Sequence, residues 1–217
     1  MTIKKYLLDL FFPLECLVCR TPNEWLCEKC FSQLKFNEQK YFLNTPNLEK
    51  IFLAGDYDDK LLAQLIKRFK FHSLEPIGPI LGRFLCSFWQ EKKLSDLNFF
   101  APEKFLVVPV PLSQKRFRWR GFNQAEIIAR HFSDFFGYEL NLNLKRIKHR
   151  RPQSALDEKH RAENIKDVFV WRGDAPANRL IILIDDVVTT GATLNEAARI
   201  LKAAGAKEVY GLVLAKG

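Results

Sequence analysis

The chain has 217 residues, 47% of them hydrophobic, and its 34 Lys and Arg against 25 Asp and Glu leave a formal charge of +9. That length holds one full domain with a small appendage, and that apolar content excludes intrinsic disorder and collagen-like repeats. The charge excess bears on partners, not on fold, and it is local: residues 60–172 carry 22 basic and 11 acidic side chains, whereas residues 173–217 balance at five against five.

Near the N-terminus the apolar run from Tyr6 to Leu14 contains Asp9 and falls short of the roughly 20 residues that a membrane-spanning helix needs. Lys4 and Lys5 precede it as in a secretory signal, but Glu15 before Cys16 suits neither a cleavage site nor a lipid-attachment site. A cytoplasmic protein with no membrane insertion is expected. Two CxxC pairs follow, Cys16 with Cys19 and Cys27 with Cys30. Each pair can turn both sulfurs to one side of a knuckle-like turn, so the four can hold a tetrahedral Zn²⁺ at roughly 2.3 Å from each. A redox site and an iron–sulfur cluster are the competing readings, and two disulfides are disfavoured in a reducing cytosol. A zinc site filled by four protein ligands is structural, because no position is left for a catalytic water.

Further along, the stretches LGRFLCSFW (81–89) and ARHFSDFFG (129–137) place Phe at helical spacing, which predicts core-facing helices and makes Cys86 a packing residue. His72, His131, His149 and His160 share no ligand spacing and read as surface or packing residues. Phe105 to Val108 forms a buried-strand run, after which four of the six residues from Lys115 to Arg120 are basic, interleaved with Phe117 and Trp119. A segment that follows a parallel strand lies at the ligand edge of its sheet. Read from its residues, it is either a solvated charged loop or a contact for single-stranded nucleic acid, where aromatics stack on bases and cations meet phosphates. A second basic cluster runs from Lys145 to Arg151.

Toward the C-terminus, Leu180 to Ile184 is a continuous aliphatic run suited to a strand buried on both faces of a parallel sheet. From Thr193 the residues Leu194, Ala197, Ala198, Leu201 and Ala204 recur at helical spacing, Gly205 marks the helix end, and Val209 to Leu214 resumes a strand. The loop from Asp186 to Thr193 carries the chemistry. Its small residues let backbone N–H groups close around an anion at a helix N-terminus. Asp185 and Asp186 beside such a site need another role on the same ligand, and sugar hydroxyls supply it; the ligand implied is a sugar phosphate.

Residues 181–193 resemble the signature of type I phosphoribosyltransferases, which bind 5-phosphoribosyl-1-pyrophosphate (PRPP): four aliphatics, Asp185 and Asp186, Val187 and Val188, then Thr189, Thr190, Gly191, Ala192 and Thr193. The resemblance implies an α/β fold with a central parallel sheet flanked by helices. It further implies that Asp185 and Asp186 hold the ribose hydroxyls and that Thr189 to Thr193 wrap the 5′-phosphate. Residues 115–120 correspond to the pyrophosphate region, so Arg116, Arg118 and Arg120 become candidates for neutralising that leaving group. Mg²⁺ would be held mostly by substrate oxygens and water. A site that binds PRPP without turning it over stays open.

Nearly the whole chain resembles the competence protein F family (ComF, ComFC and GntX-like members). The resemblance rests on the cysteine pairs, LIKRFKF with Lys67 and Lys70, the PVP turn, and RGFNQAE with Arg120, Gly121, Asn123 and Gln124. It also rests on the grouping of Arg151, Pro152, Gln153, Leu156, Arg161 and Asn164. It implies a role in natural competence, the DNA uptake of transformation, near a ComFA-like helicase partner. Lys67, Lys70, Lys115, Trp119, Lys148, Arg150 and Arg151 are then the nucleic-acid candidates. The segment from Gln153 to Asn164 is implied to cover the PRPP site, which adds Gln153 and Arg161 to the catalytic candidates. Nucleotide or purine salvage is the alternative function, although no base pocket is identifiable. Type I enzymes build an acceptor-binding hood outside the core sheet, and only three residues follow Leu214. The expectation is therefore that a zinc module, residues 1–48, lies over the C-terminal edge of the sheet formed by residues 49–217.

Overall fold

The computed structural model describes residues 14–38, 41–42, 45–71, 74–91, 105–147 and 167–217. Two compact units, Met1–Lys35 and Phe36–Gly217, make up the chain. Phe36 and Asn37, within the 1–48 range expected for the zinc module, pack in the second: the Phe36 ring lies 5.2 Å from Phe84, and the Asn37 amide donates to Ala54 O at 2.9 Å.

In the smaller unit the first cysteine pair sits on a tight turn. The Cys16 amide donates to Thr21 O at 2.8 Å, the Arg20 amide returns to Cys16 O at 3.0 Å, and a bridge joins Glu15 to Pro22. The second pair brackets the start of α1 (Glu28–Phe31), whose N-cap is Cys27.

The larger unit is built on a six-stranded sheet of β1 (Tyr41–Phe42), β2 (Lys50–Asp56), β3 (Phe105–Pro109), β4 (Glu139–Leu140), β7 (Leu180–Val188) and β8 (Glu208–Lys216), in the order β1-β2-β8-β7-β3-β4. Only β1 is antiparallel to its neighbour. A separate antiparallel ribbon pairs β5 (Leu144–Arg146) with β6 (Phe169–Trp171). Alternate residues of a strand face opposite sides, and each side has its own cover. On one, Ile51, Leu53, Leu106, Val108, Ile181, Leu183, Val209 and Val213 pack with α6 (Ala192–Ala203) through Leu194, Ala197, Ala198 and Leu201. The opposite side takes α2 (Lys60–Phe71), α3 (Ile77–Glu91) and α5 (Gln124–Phe136), with Phe52 edge-on to Trp89, and Trp89 edge-on to Phe132. Gly55 permits that approach, since a Cβ there would stand 2.3 Å from Leu62 Cδ2.

Several sequence expectations shift in the structure. The hydrophobic pattern ends the strand at Ile184, but β7 continues through Asp185 and Asp186 to Val188 because β8 keeps pairing with it as far as Val188↔Lys216. The loop is correspondingly short, residues 189–191, and α6 begins at Ala192. The basic segment is a helix, α4 (Gln114–Arg120), capped by Ser113 and closed by Gly121 at φ +85°. Phe84, Phe88 and Phe132 are buried as their spacing predicts, and so is Cys86, whose thiol burial pushes up to about 12. Phe135 is the exception: at 53% exposure it lies on the solvent side of α5, against the ring of Phe136. His131 packs against Gly82, and burial lowers its pKa. His72, His149 and His160 lie outside the described residues, as does the run from Tyr6 to Pro13. Among the described residues no helix is long and apolar enough to cross a membrane.

Candidate functional site

Parallel pairing brings the C-terminal ends of β2, β3, β7 and β8 to one edge. The chain leaves β3 through α4 and α5 toward β4, and leaves β7 through α6 toward β8, so the two connections diverge in opposite directions on opposite faces. Such a divergence opens the crevice in which α/β sheets bind ligands. The strand lengths deepen it. β3 ends at Pro109 opposite Ile184, so Asp185 and Asp186 overhang the β3 side.

Asp186 is 9% exposed, and its Oδ1 lies 3.0 Å from Lys70 Nζ at the end of α2. Its amide donates to Asp185 Oδ1 at 2.8 Å. Burial, reinforced by the neighbouring Asp186 charge, raises the pKa of Asp185 to about 7, with Lys70 and Arg146 pulling the other way. Arg120 sits 9% exposed nearby, its pKa lowered by burial while the two aspartates oppose the shift. Arg146, its Cζ 5.4 Å from the Phe169 ring, is lowered by burial and by the charge of Arg116, and Asp185 opposes this. Three cations from three elements, Lys70, Arg120 and Arg146, thus act on two carboxylates, and Arg116 adds its charge beside Arg120 and Arg146. The net positive field suits a polyanion.

Beside the carboxylates the chain turns through Thr189 and Thr190, both exposed, to Gly191 at φ +78°, a left-handed conformation that glycine adopts without Cβ strain. The first N–H groups of α6 have no partner within the helix, and its positive dipole end faces the same edge. Asn47 secures the first turn from outside, its N and Nδ2 donating to Asn195 Oδ1 at 3.0 and 3.1 Å. Arg120 is held from behind: its Nη1 donates to Gln124 Oε1 at 3.1 Å, and the Asn123 amide group donates to Val110 O at 3.1 Å. Arg120 Nε and Gln124 Nε2 are buried donors without a partner among the described residues.

Helix α4 sorts its basic residues by face. At roughly 100° per residue, Arg120 marks the inward arc as the buried residue of the helix, the exposed Arg116 lies about 40° from it, and Lys115, Arg118 and Trp119 share an outward arc, all three exposed. Lys67 lies 5.9 Å over the Tyr57 ring. Lys70, a nucleic-acid candidate by sequence, is paired to Asp186 instead. Lys148, Arg150, Arg151, Gln153 and Arg161 lie outside the described residues. Arg146 escapes sequence reasoning, being one cation among several in a basic cluster; its place in the β5–β6 ribbon brings its charge to Asp185.

In the smaller unit the ligand atoms of Cys16, Cys19, Cys27 and Cys30 lie within 4.8 Å of one another, and Cys19 and Cys27 sulfurs approach to 3.4 Å. A tetrahedron with metal–sulfur bonds of roughly 2.3 Å has sulfur–sulfur edges of about 3.8 Å, so the set fits a four-thiolate metal site. Three of these four cysteines are buried, and none of the five in the chain is in a disulfide. The Cys27 amide donates to Cys16 Sγ at 3.4 Å, an N–H···S contact that supports a thiolate.

These features agree with comparison to known proteins. Residues 119–217 match the family model described as the phosphoribosyl transferase domain, and the fold is that of the type I phosphoribosyltransferases, with an N-terminal four-cysteine module. Competence protein F of Haemophilus influenzae is 32% identical, covering 94% of this chain and 99% of its own. The DNA utilization protein YhgH of Salmonella typhi is 30% identical over 76% of this chain and 70% of its own. Competence protein ComFC of Streptococcus pneumoniae is 27% identical over 89% and 88% respectively. The chain belongs to the competence protein F family.

Proposed function

We propose that this is a cytoplasmic protein of natural transformation that binds PRPP with Mg²⁺ at Asp185, Asp186 and residues 187–193, and handles single-stranded DNA beside that site. The observation that carries the reading is the carboxylate pair overhanging the switch-point crevice, accompanied by the cations Lys70, Arg120 and Arg146 and adjoining the N-terminus of α6. The two carboxylates accept hydrogen bonds from the ribose hydroxyls. Residues 189–193 take the 5′-phosphate on backbone N–H groups and Thr hydroxyls. Mg²⁺ brought in with the pyrophosphate would supply further charge neutralisation there.

Turnover at such a site displaces pyrophosphate from the anomeric carbon. It needs neutralisation of the departing charge and exclusion of water, not a strong base. Arg120, with Arg116 one turn before it, serves the first need, whereas Arg118 lies on the outward arc of α4, away from the carboxylates. Gln153 and Arg161 are proposed for the second. The four cysteines hold a structural Zn²⁺, and a ComFA-like helicase is the proposed protein partner.

Calorimetric titration of zinc-loaded protein with PRPP and Mg²⁺ tests the reading. Binding by the wild type that is lost in Asp185→Asn/Asp186→Asn is the expected result. Equal affinity in the double variant would remove the site assignment.

A further inference from the structure

Phe71 and Trp119 are large aromatics at 54% and 61% exposure, and they come from different helices, the end of α2 and the last turn of α4. Their ring centroids lie 6.0 Å apart, inclined at 60°. The Arg120 guanidinium carbon lies 5.6 Å from one ring and 5.8 Å from the other, so a charged group stiffens the pair from below. Each ring also adjoins a cation of the carboxylate site: Phe71 follows Lys70, which is bonded to Asp186, and Trp119 precedes Arg120. The rings therefore sit at the rim of that site.

Their surroundings indicate what they receive. Lys115 and Arg118 share the outward arc with Trp119, and the sequence of α4 contains no acidic residue. An exposed π-face flanked by two cations is complementary to a base and the phosphates on either side of it. We propose that Phe71 and Trp119 form a stacking platform for one nucleobase of a single strand, with the adjoining phosphates on Lys115 and Arg118. This rests on the reading above that the protein handles single-stranded DNA, and it places the strand at the mouth of the sugar-phosphate site. One seven-residue helix then serves two ligands, its inward arc the carboxylate site and its outward arc the strand.

Stacking and phosphate pairing differ in salt dependence, which gives a direct test. A short oligothymidylate is titrated into the full-length zinc-loaded protein across a salt series, and PRPP with Mg²⁺ is titrated separately by calorimetry. Trp119→Leu and Phe71→Leu should each weaken oligomer binding by roughly tenfold at every salt concentration and leave the salt slope unchanged. Lys115→Gln combined with Arg118→Gln should reduce the slope by about 1.4, or about 0.7 for each phosphate that no longer meets a cation. Wild-type affinity in both aromatic variants, or a loss confined to the slope, would overturn the platform while leaving DNA handling in place. Thymidine alone binding as tightly as the oligomer would overturn the strand assignment. Absence of oligomer binding by the wild type would overturn the platform and the DNA half of the proposed function together, and the PRPP titration would still decide the other half.

Discussion

Lys70 Nζ reaches across from the end of α2 to within 3.0 Å of Asp186 Oδ1, with the two side chains only 17% and 12% exposed. The pair does two things at once. It compensates a carboxylate that would otherwise sit buried beside a second one, and it ties a helix outside the matched phosphoribosyl transferase segment to the signature strand. Removing one member of a mostly buried pair leaves an uncompensated charge, which costs several kcal/mol at full burial and about 1–3 kcal/mol at this exposure. Lys70→Met should lower the melting temperature by about 3–8 °C. Because Lys70 also opposes the upward shift at Asp185, the variant should titrate Asp185 at higher pH. An unchanged melting temperature would show that the pair contributes nothing to the fold.

Asp185 makes stability depend on pH in a defined direction. An unfolded Asp titrates near 3.9, whereas in the folded protein Asp185 titrates at about 7. Between those values the folded state binds more protons, so its advantage is full below the lower one and is lost as pH rises through the higher. Asn at this position carries no such cost. Thermal melts should show Asp185→Asn matching the wild type near pH 4 and exceeding it by several degrees at pH 8. Ligand affinity should run the other way, rising from pH 6 to 8 as Asp185 ionises and becomes a better acceptor for sugar hydroxyls.

Much of the fold and part of the site could be read from residue patterns. The aliphatic run at Leu180–Ile184, the helical spacing from Leu194 to Leu201 and the small residues between them define a strand, loop and helix because burial and backbone geometry leave few alternatives there. Strand β7 nonetheless runs four residues past its apolar run, since inter-strand hydrogen bonds with β8 hold Asp185 and Asp186 in register whatever their side chains. Lys70, Arg146 and Phe71 were not legible as neighbours of the signature. They arrive from α2 and β5, and such convergence depends on tertiary packing, which no local pattern encodes. Lys115 and Arg120 lie on different arcs of one short helix, a separation that required knowing that the segment is a helix.

The cysteine cluster should behave as one metal site with unequal thiols once stripped. The Thr21 hydroxyl and amide hold Cys19 down at about 6, whereas burial pushes Cys30 up to about 12. Thiolate is the reactive form, so chelated protein at pH 7 should be alkylated first at Cys19, and last at Cys30 and Cys86. Metal analysis should give one zinc per chain, and the loaded protein should protect all four thiols while Cys86 stays unreactive through burial. Uniform alkylation of the four in zinc-supplemented protein would exclude the site.

Gln124 is the remaining test of how Arg120 is aimed. It is 1% exposed, its Oε1 accepts from Arg120 Nη1 at 3.1 Å, and the charges of both aspartates act on the same guanidinium. Gln124→Met preserves volume but removes the acceptor. A hydrogen bond to a charged group is worth about 1.5–3 kcal/mol, so PRPP affinity should fall roughly tenfold or more as Arg120 loses its orientation. A fall in stability alone would indicate a packing role, and a double-mutant cycle separates the two. If Gln124 acts through Arg120, Arg120→Met/Gln124→Met should bind PRPP no more weakly than Arg120→Met, whereas independent roles would make the two losses add.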